Sequence, residues 1–169
     1  NDIESCDDWW NLYLRLVEWE LKFDQHKDSG LNNILYEQIQ SCNKVFSNFI
    51  EKNYKGLIKK DNKSILSPSV FRNHALPKIK ENQKVCIIIV DCMRCDQFLS
   101  VIPYLESLFN IELTYHMSLI PSATPYSRNA IFSGLYPDEL IERYPNQKKL
   151  FQNNESSLNK YENIFLLDQ

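Results

Sequence analysis

The run "VCIIIVD" at residues 85–91 carries the strongest fold signal in the chain. Its first six residues are apolar and mostly β-branched, too short a run for a helix and without alternation. Such a run suits a central strand covered on both faces in a parallel sheet. Reading forward, residues 96–109 predict a helix in which Pro103 is a local irregularity. "IELTYHMSLI" at 111–120 then alternates Ile111, Leu113, Tyr115, Met117 and Leu119 as a strand does. "PSAT" at 121–124 turns the chain into a helix near 125–133, and "NIFLL" at 163–167 reads as a further strand. The order strand, helix, strand, helix predicts an α/β layer with a mainly parallel sheet.

Reading backward, periodicity replaces the apolar run. Trp9, Leu12, Leu16, Trp19 and Phe23 recur at helical steps, with Asp7 or Asp8 near the start. Leu14, Val17 and Leu21 widen the stripe. "KDSG" at 27–30 breaks the pattern, and a second periodic run from Leu31 through Ile34, Leu35, Ile39, Cys42, Val45, Phe46, Phe49 and Ile50 continues to about Tyr54. The two segments predict an antiparallel helical pair. Between Lys59 and Gln83 polar residues cluster and Pro68 and Pro77 limit regular structure, although "SPSVFRNHAL" has room for one short helix behind a Ser cap. The expected organisation is a helical region at 1–60, a connecting segment at 61–83 that includes His74, and an α/β region at 84–169.

Composition narrows the function classes. With 169 residues and 43% apolar content the chain can build a real core. Nineteen basic against 22 acidic residues leave a net charge of −3, which excludes a global basic field for nucleic acid but allows a local phosphate site. Arginine is scarce, at 15, 72, 94, 128 and 143, so Arg94 and Arg128 near the motifs carry weight as anion forks. Five irregularly spaced cysteines fit reduced thiols in a cytoplasmic protein. Cys92 and Cys95 match C-x-x-C, but a redox or zinc reading needs a second ligand pair, and His116 is the only histidine nearby. No apolar stretch reaches the length of a membrane span. The chain begins at Asn1 and stops just after an apolar run, as expected for a piece of a longer polypeptide.

Two positions carry candidate chemistry. In open parallel sheets ligands collect beyond the carboxyl ends of the strands, where both Asp91 and residues 121–124 are expected. Asp91 suits either a turn cap or a metal carboxylate with rigid backbone behind it. Thr124, at the expected helix start, suits either an N-cap or a hydroxyl beside an anion cradle of free N–H groups. Arg128, one turn on, falls on the same side, and Gly134 is placed to end the helix with positive φ. A threonine hydroxyl is a weak nucleophile at neutral pH, and metal activation is the economical way to strengthen it. Ser122 is a second hydroxyl close by, so chemistry alone does not single out Thr124.

"VDCMRCDQ" at 90–97 and "PSATPYSRNAIFSG" at 121–134 resemble the first metal motif and the nucleophile motif of the alkaline phosphatase superfamily. Thr124, Ser127-Arg128 and Ser133-Gly134 keep the register of its sulfatase branch, with Thr where that branch has Cys, as in the phosphodiesterase branch. Tyr126 replaces the usual proline and Pro125 precedes it. A narrower resemblance is to the PglZ domain of PorX-type response regulators. It rests on the Asp91, Arg94 and Asp96-Gln97 pattern, on "TPYSRNAIFSGLYP", on "ERYP" and on the tryptophan-rich helix upstream.

This resemblance implies an alkaline-phosphatase-like core with two divalent ions, usually zinc, that cleaves phosphate esters. Asp91 would be a metal ligand and Thr124 both nucleophile and metal contact, with Arg128 in a supporting role and Asn129 and Arg94 binding substrate. It also implies an oligonucleotide phosphodiesterase in the cytoplasm, linked to type IX secretion, with a sensor kinase and secretion regulators as partners and dimerisation on activation. The remaining Asp and His metal ligands and the receiver domain would lie outside these 169 residues, leaving this piece alone inactive or nearly so. The alternatives are a catalytically inactive module that signals or binds a nucleotide or partner, and a sulfatase-like or phosphonate-cleaving hydrolase.

Overall fold

A computed structural model describes residues 3–26, 29–59, 66–145 and 160–169. Of the break expected at 27–30, residues 27–28 lie outside the described residues, as does the start of the connecting segment at 61–65, while Ser29 and Gly30 are already helical, at the start of the second helix. The helices among the described residues, in chain order, are α1 (Cys6–His26), α2 (Ser29–Leu57), α3 (Val70–His74), α4 (Leu76–Lys80), α5 (Cys95–Leu105), α6 (Thr124–Ser133), α7 (Pro137–Arg143) and α8 (Glu162–Leu167), with a 3-10 turn at Ser67–Ser69. They fall into two compact units, one of residues 1–62 and 89–115, the other of residues 63–88 and 116–169.

In the first unit, α1 starts on a reciprocal cap. The Asp8 amide donates to the Ser5 hydroxyl at 3.1 Å, while the Ser5 amide and hydroxyl donate to the Asp8 carboxylate at 3.2 and 2.6 Å. The Ser5 hydroxyl thereby holds the Asp8 carboxyl below its ordinary value. Trp9, near the start of α1, packs edge-on against Phe46 at 5.0 Å and against Phe49 at 5.9 Å, both late in α2. Contact between the start of one helix and the far part of the next is the geometry of an antiparallel pair. Trp9, Val17, Phe49 and Leu57 are its buried residues.

In the second unit, α6 packs against the 3-10 turn and α8, and also meets α3 and α7. Ser67 is fully buried and its hydroxyl accepts the Leu119 amide at 3.2 Å. Leu140 and Phe165 form a small core, covered by Phe132, Leu135, Tyr144 and Tyr161. The end of α6 is set by Gly134, which takes φ +66° and returns its amide to the Ala130 carbonyl at 2.9 Å. The Gln169 amide adds donors to the carbonyls of Phe132 at 2.6 Å and Ile131 at 3.3 Å. A Cβ on residue 134 would stand 2.9 Å from the Gln169 Oε1. Gly134→Ala is therefore expected to cost about 1 kcal/mol through the left-handed backbone, with displacement of the Gln169 cap besides, read by denaturant unfolding.

The expected α/β class with a mainly parallel sheet is not what forms. Among the described residues there is no strand, and the one β contact is an isolated parallel bridge between Leu66 and Met117. A central strand needs ladder partners on both sides and cover on both faces. Residues 83–90 have neither: they are without regular structure, and Ile88 is 80% exposed with Val90 at 58%. The alternating run at 111–120 contributes only Met117 to the bridge. "NIFLL" is helical, within α8, because its burial follows a helix face: Phe165 is fully buried while Leu167 is 84% exposed. Short apolar runs of this kind cannot be assigned from periodicity alone.

Candidate functional site

The Asp91 motif lies in the first unit. The chain turns at Asp91 and Cys92, where Cys92 takes φ +59°, a left-handed conformation uncommon for a residue with a side chain. The Asp91 carboxylate accepts the Cys92 amide at 3.0 Å and lies 3.9 Å from its sulfur. The carboxylate thus fastens the turn and is also exposed. Arg94 is the N-cap residue of α5, its amide donating to the Gln97 side chain at 3.0 Å. Its guanidinium forks onto Asp96, with Nε donating to Oδ1 at 2.9 Å and Nη2 paired with Oδ2. The hydrogen bond from Arg94 holds the Asp96 carboxyl below its usual range, and Asp96 in turn pushes the Arg94 guanidinium up. Arg94, expected to bind substrate, is committed to its own helix start.

Cys95 of the C-x-x-C pair is not an activated thiol. Burial, and then the Asp96 charge, push the Cys95 thiol up although it sits at a helix N-terminus. At pH 7 Cys95 is therefore expected to react with iodoacetamide more slowly than N-acetylcysteine, gaining rate as pH rises. Equal rates at pH 7 would contradict this assignment.

The Thr124 motif lies in the second unit, on α6. Ala123, not Thr124, is the N-cap residue. An N-cap hydroxyl accepts an amide from the second or third helical residue, but the Tyr126 and Ser127 amides both donate to the Ala123 carbonyl, at 2.9 and 3.1 Å. Thr124 is instead the first helical residue, and among the described residues its hydroxyl has no hydrogen-bond partner. The same bonds thin the anticipated cradle of N–H groups, since Pro125 has no amide hydrogen. What remains at this helix start is the Thr124 amide beside the Thr124 hydroxyl.

The other residues of the motif are held by packing. The Arg128 guanidinium forks onto the Glu162 carboxylate of α8, Nε to Oε1 at 2.5 Å and Nη2 to Oε2 at 3.0 Å, and lies 5.9 Å over the Phe132 ring. Both partners are largely covered, at 23% and 13% exposed, so this pair is more than a surface ion pair. Asn129 is 1% exposed and its amide donates to the Pro125 carbonyl at 3.0 Å, while its Oδ1 has no partner among the described residues. Ser127, the residue before Arg128, donates to the Ser122 carbonyl at 3.2 Å. Asp91 and Arg94 thus share one turn, and Thr124, Arg128 and Asn129 share one helix.

Glu162 is the residue that sequence reading missed. It lies far from both motifs, and no spacing rule connects it to Arg128. Nor do the described residues themselves complete a metal centre: no group of three or more His, Cys, Asp or Glu is placed to hold an ion.

Residues 70–169 match the BREX system PglZ alkaline phosphatase-like domain. The chain belongs to the PglZ alkaline phosphatase-like family. Residues 1–58 match the PorX response regulator linker domain, so a linker region stands before the PglZ region. No curated protein matches the chain. Alkaline phosphatase-like domains generally use metal ions and belong to a phosphoesterase superfamily. No helix among the described residues is long and apolar enough to cross a membrane.

Proposed function

We propose that this PglZ region serves a zinc-dependent phosphodiesterase in which the Thr124 hydroxyl is the attacking group. The observation that carries the proposal is the hydroxyl itself. It stands at the first position of α6, relieved of capping duty by Ala123 and with no partner among the described residues. In the reaction we propose, the Thr124 oxygen forms a bond to phosphorus as the ester oxygen leaves. Water then releases the phosphoryl group from the threonine. A divalent ion, when bound, supplies the Lewis acidity that a threonine hydroxyl needs at neutral pH. By the family likeness we propose a metal-ligand role for Asp91 and, separately, a metal contact for the Thr124 oxygen; a tetrahedral zinc site takes four donors. By its likeness to PorX proteins we further propose oligonucleotides as substrate, a cytoplasmic setting, and a sensor kinase and secretion regulators of the type IX system as partners.

The test is turnover of bis-p-nitrophenyl phosphate, a short oligonucleotide, p-nitrophenyl sulfate and a phosphonate ester by the purified protein with and without added zinc. Diester cleavage that is lost in Asp91→Ala supports the proposal. Cleavage of the sulfate or phosphonate alone, or diester cleavage unaffected by Asp91→Ala, sinks it. A second reading, an inactive signalling module, draws on the Arg128 fork. A guanidinium committed to Glu162 is not presented to a phosphate. Absence of turnover on every substrate together with stoichiometric binding of a nucleotide would favour it.

A further inference from the structure

The first helix of the linker region touches the Asp91 motif of the PglZ region, and both belong to one compact unit. The Trp10 ring stacks on the Tyr115 ring, with centroids 4.7 Å apart and planes 19° from parallel. The Tyr115 hydroxyl donates to the Asp7 carboxylate. At the other end of the same segment α1 packs against α5, and Tyr13 stands within electrostatic reach of Cys95, Asp96 and Arg94 at the α5 start. Burial, and after it the charges of Cys95 and Asp96, push the Tyr13 phenol up. Residues 95–115 are therefore pinned to α1 at both ends.

These contacts matter because α5 has little else. None of its residues is fully buried, and Val101 and Tyr104 face solvent at 39% and 77% exposed. A helix without a buried face opens locally at low cost, and its order depends on the few contacts that it makes. Asp91 sits in the turn that leads directly into α5, so the placement of its carboxylate follows the placement of that helix.

We infer that Trp10, Tyr13 and Tyr115 are positioning residues, through which helix α1 of the linker region holds α5 and with it the Asp91 turn. A displacement of α1 then shifts the Asp91 carboxylate. Linker movement becomes a control on the motif. The part of this inference that concerns activity rests on the proposed role of Asp91.

Hydrogen–deuterium exchange of the protein tests the mechanical part, and steady-state kinetics test the chemical part. Trp10→Ala should speed exchange across residues 91–105 by about fivefold, the size expected for loss of one aromatic pair. Trp19→Ala is the control, since the Trp19 ring packs tilted against Phe23 of its own helix, and should leave 91–105 unchanged. Unchanged exchange at 91–105 in Trp10→Ala, or equal acceleration in the control, overturns the inference. If Trp10→Ala does not fold, Tyr115→Phe decides. It keeps the ring stack and removes only the bond to Asp7, so faster exchange at 91–105 upholds the inference and unchanged exchange overturns it. In kinetics, Trp10→Ala should lower kcat for the diester with KM unchanged. Faster exchange with unchanged kcat upholds the hold of α1 on α5 and overturns the role of Asp91 instead.

Discussion

Thr124→Val will lower diester turnover by roughly a thousandfold or more, the scale expected when a nucleophile is removed and only binding and electrostatic assistance remain. The fold should not notice. Valine is β-branched and close to threonine in shape, and the hydroxyl that it replaces makes no hydrogen bond among the described residues. The cap of α6 is the Ala123 carbonyl, which the substitution leaves in place. Thr124→Ser, which keeps an oxygen in the same position, should retain measurable turnover. If Thr124→Val turns over diester at the parent rate, the hydroxyl is not the attacking group and Ser122 is the next hydroxyl to test. If instead the melting temperature falls by several degrees, the hydroxyl has a structural task in α6.

Phe165→Ala has the largest expected effect on stability, about 3–5 kcal/mol. Phe165 is fully buried beside Leu140, with the Tyr144 ring 4.9 Å and the Tyr161 ring 6.5 Å from its own. Truncation leaves a cavity that the short helix α8 cannot close without leaving α6. Against a typical domain stability of about 5–15 kcal/mol this is a large fraction. The loss should also reach the Thr124 helix. With α8 loosened, the Arg128 fork to Glu162 and the Gln169 bonds to the end of α6 loosen together. Phe165→Leu, which keeps most of the volume, should cost less than about 1.5 kcal/mol. Chemical denaturation of both variants reads the difference, and equal costs would mean that α8 does not pack as described.

The local devices of this chain were legible in advance. The stripes of α1 and α2 follow from residue spacing, and Gly134 ends α6 because it alone in that helix lacks a Cβ to oppose positive φ. The site was legible only as motifs. Thr124 and Asp91 could be singled out by position, but whether a hydroxyl caps a helix depends on which carbonyl the neighbouring amides choose. Here they choose Ala123. Arg128 was readable as an anion fork, yet the anion that it holds is Glu162, brought to it by the packing of α8.

The same division separates what sequence determined by itself from what needed the tertiary structure. Helical stripes and the αL stop at Gly134 are properties of residues within a turn or two of each other, and they hold wherever the helix goes. Pairing of "VCIIIVD", the state of "NIFLL" and the contacts of Arg128 and Tyr115 depend on residues far along the chain. β-branched residues favour a strand only where a ladder is offered, and none is offered to 83–90 among the described residues. Phe165 enters a core as part of a helix because Leu140 and Tyr144 stand where a helix face meets them. Tyr115 belongs to α1 because Trp10 and Asp7 stand where its ring and hydroxyl arrive, which no local rule could supply.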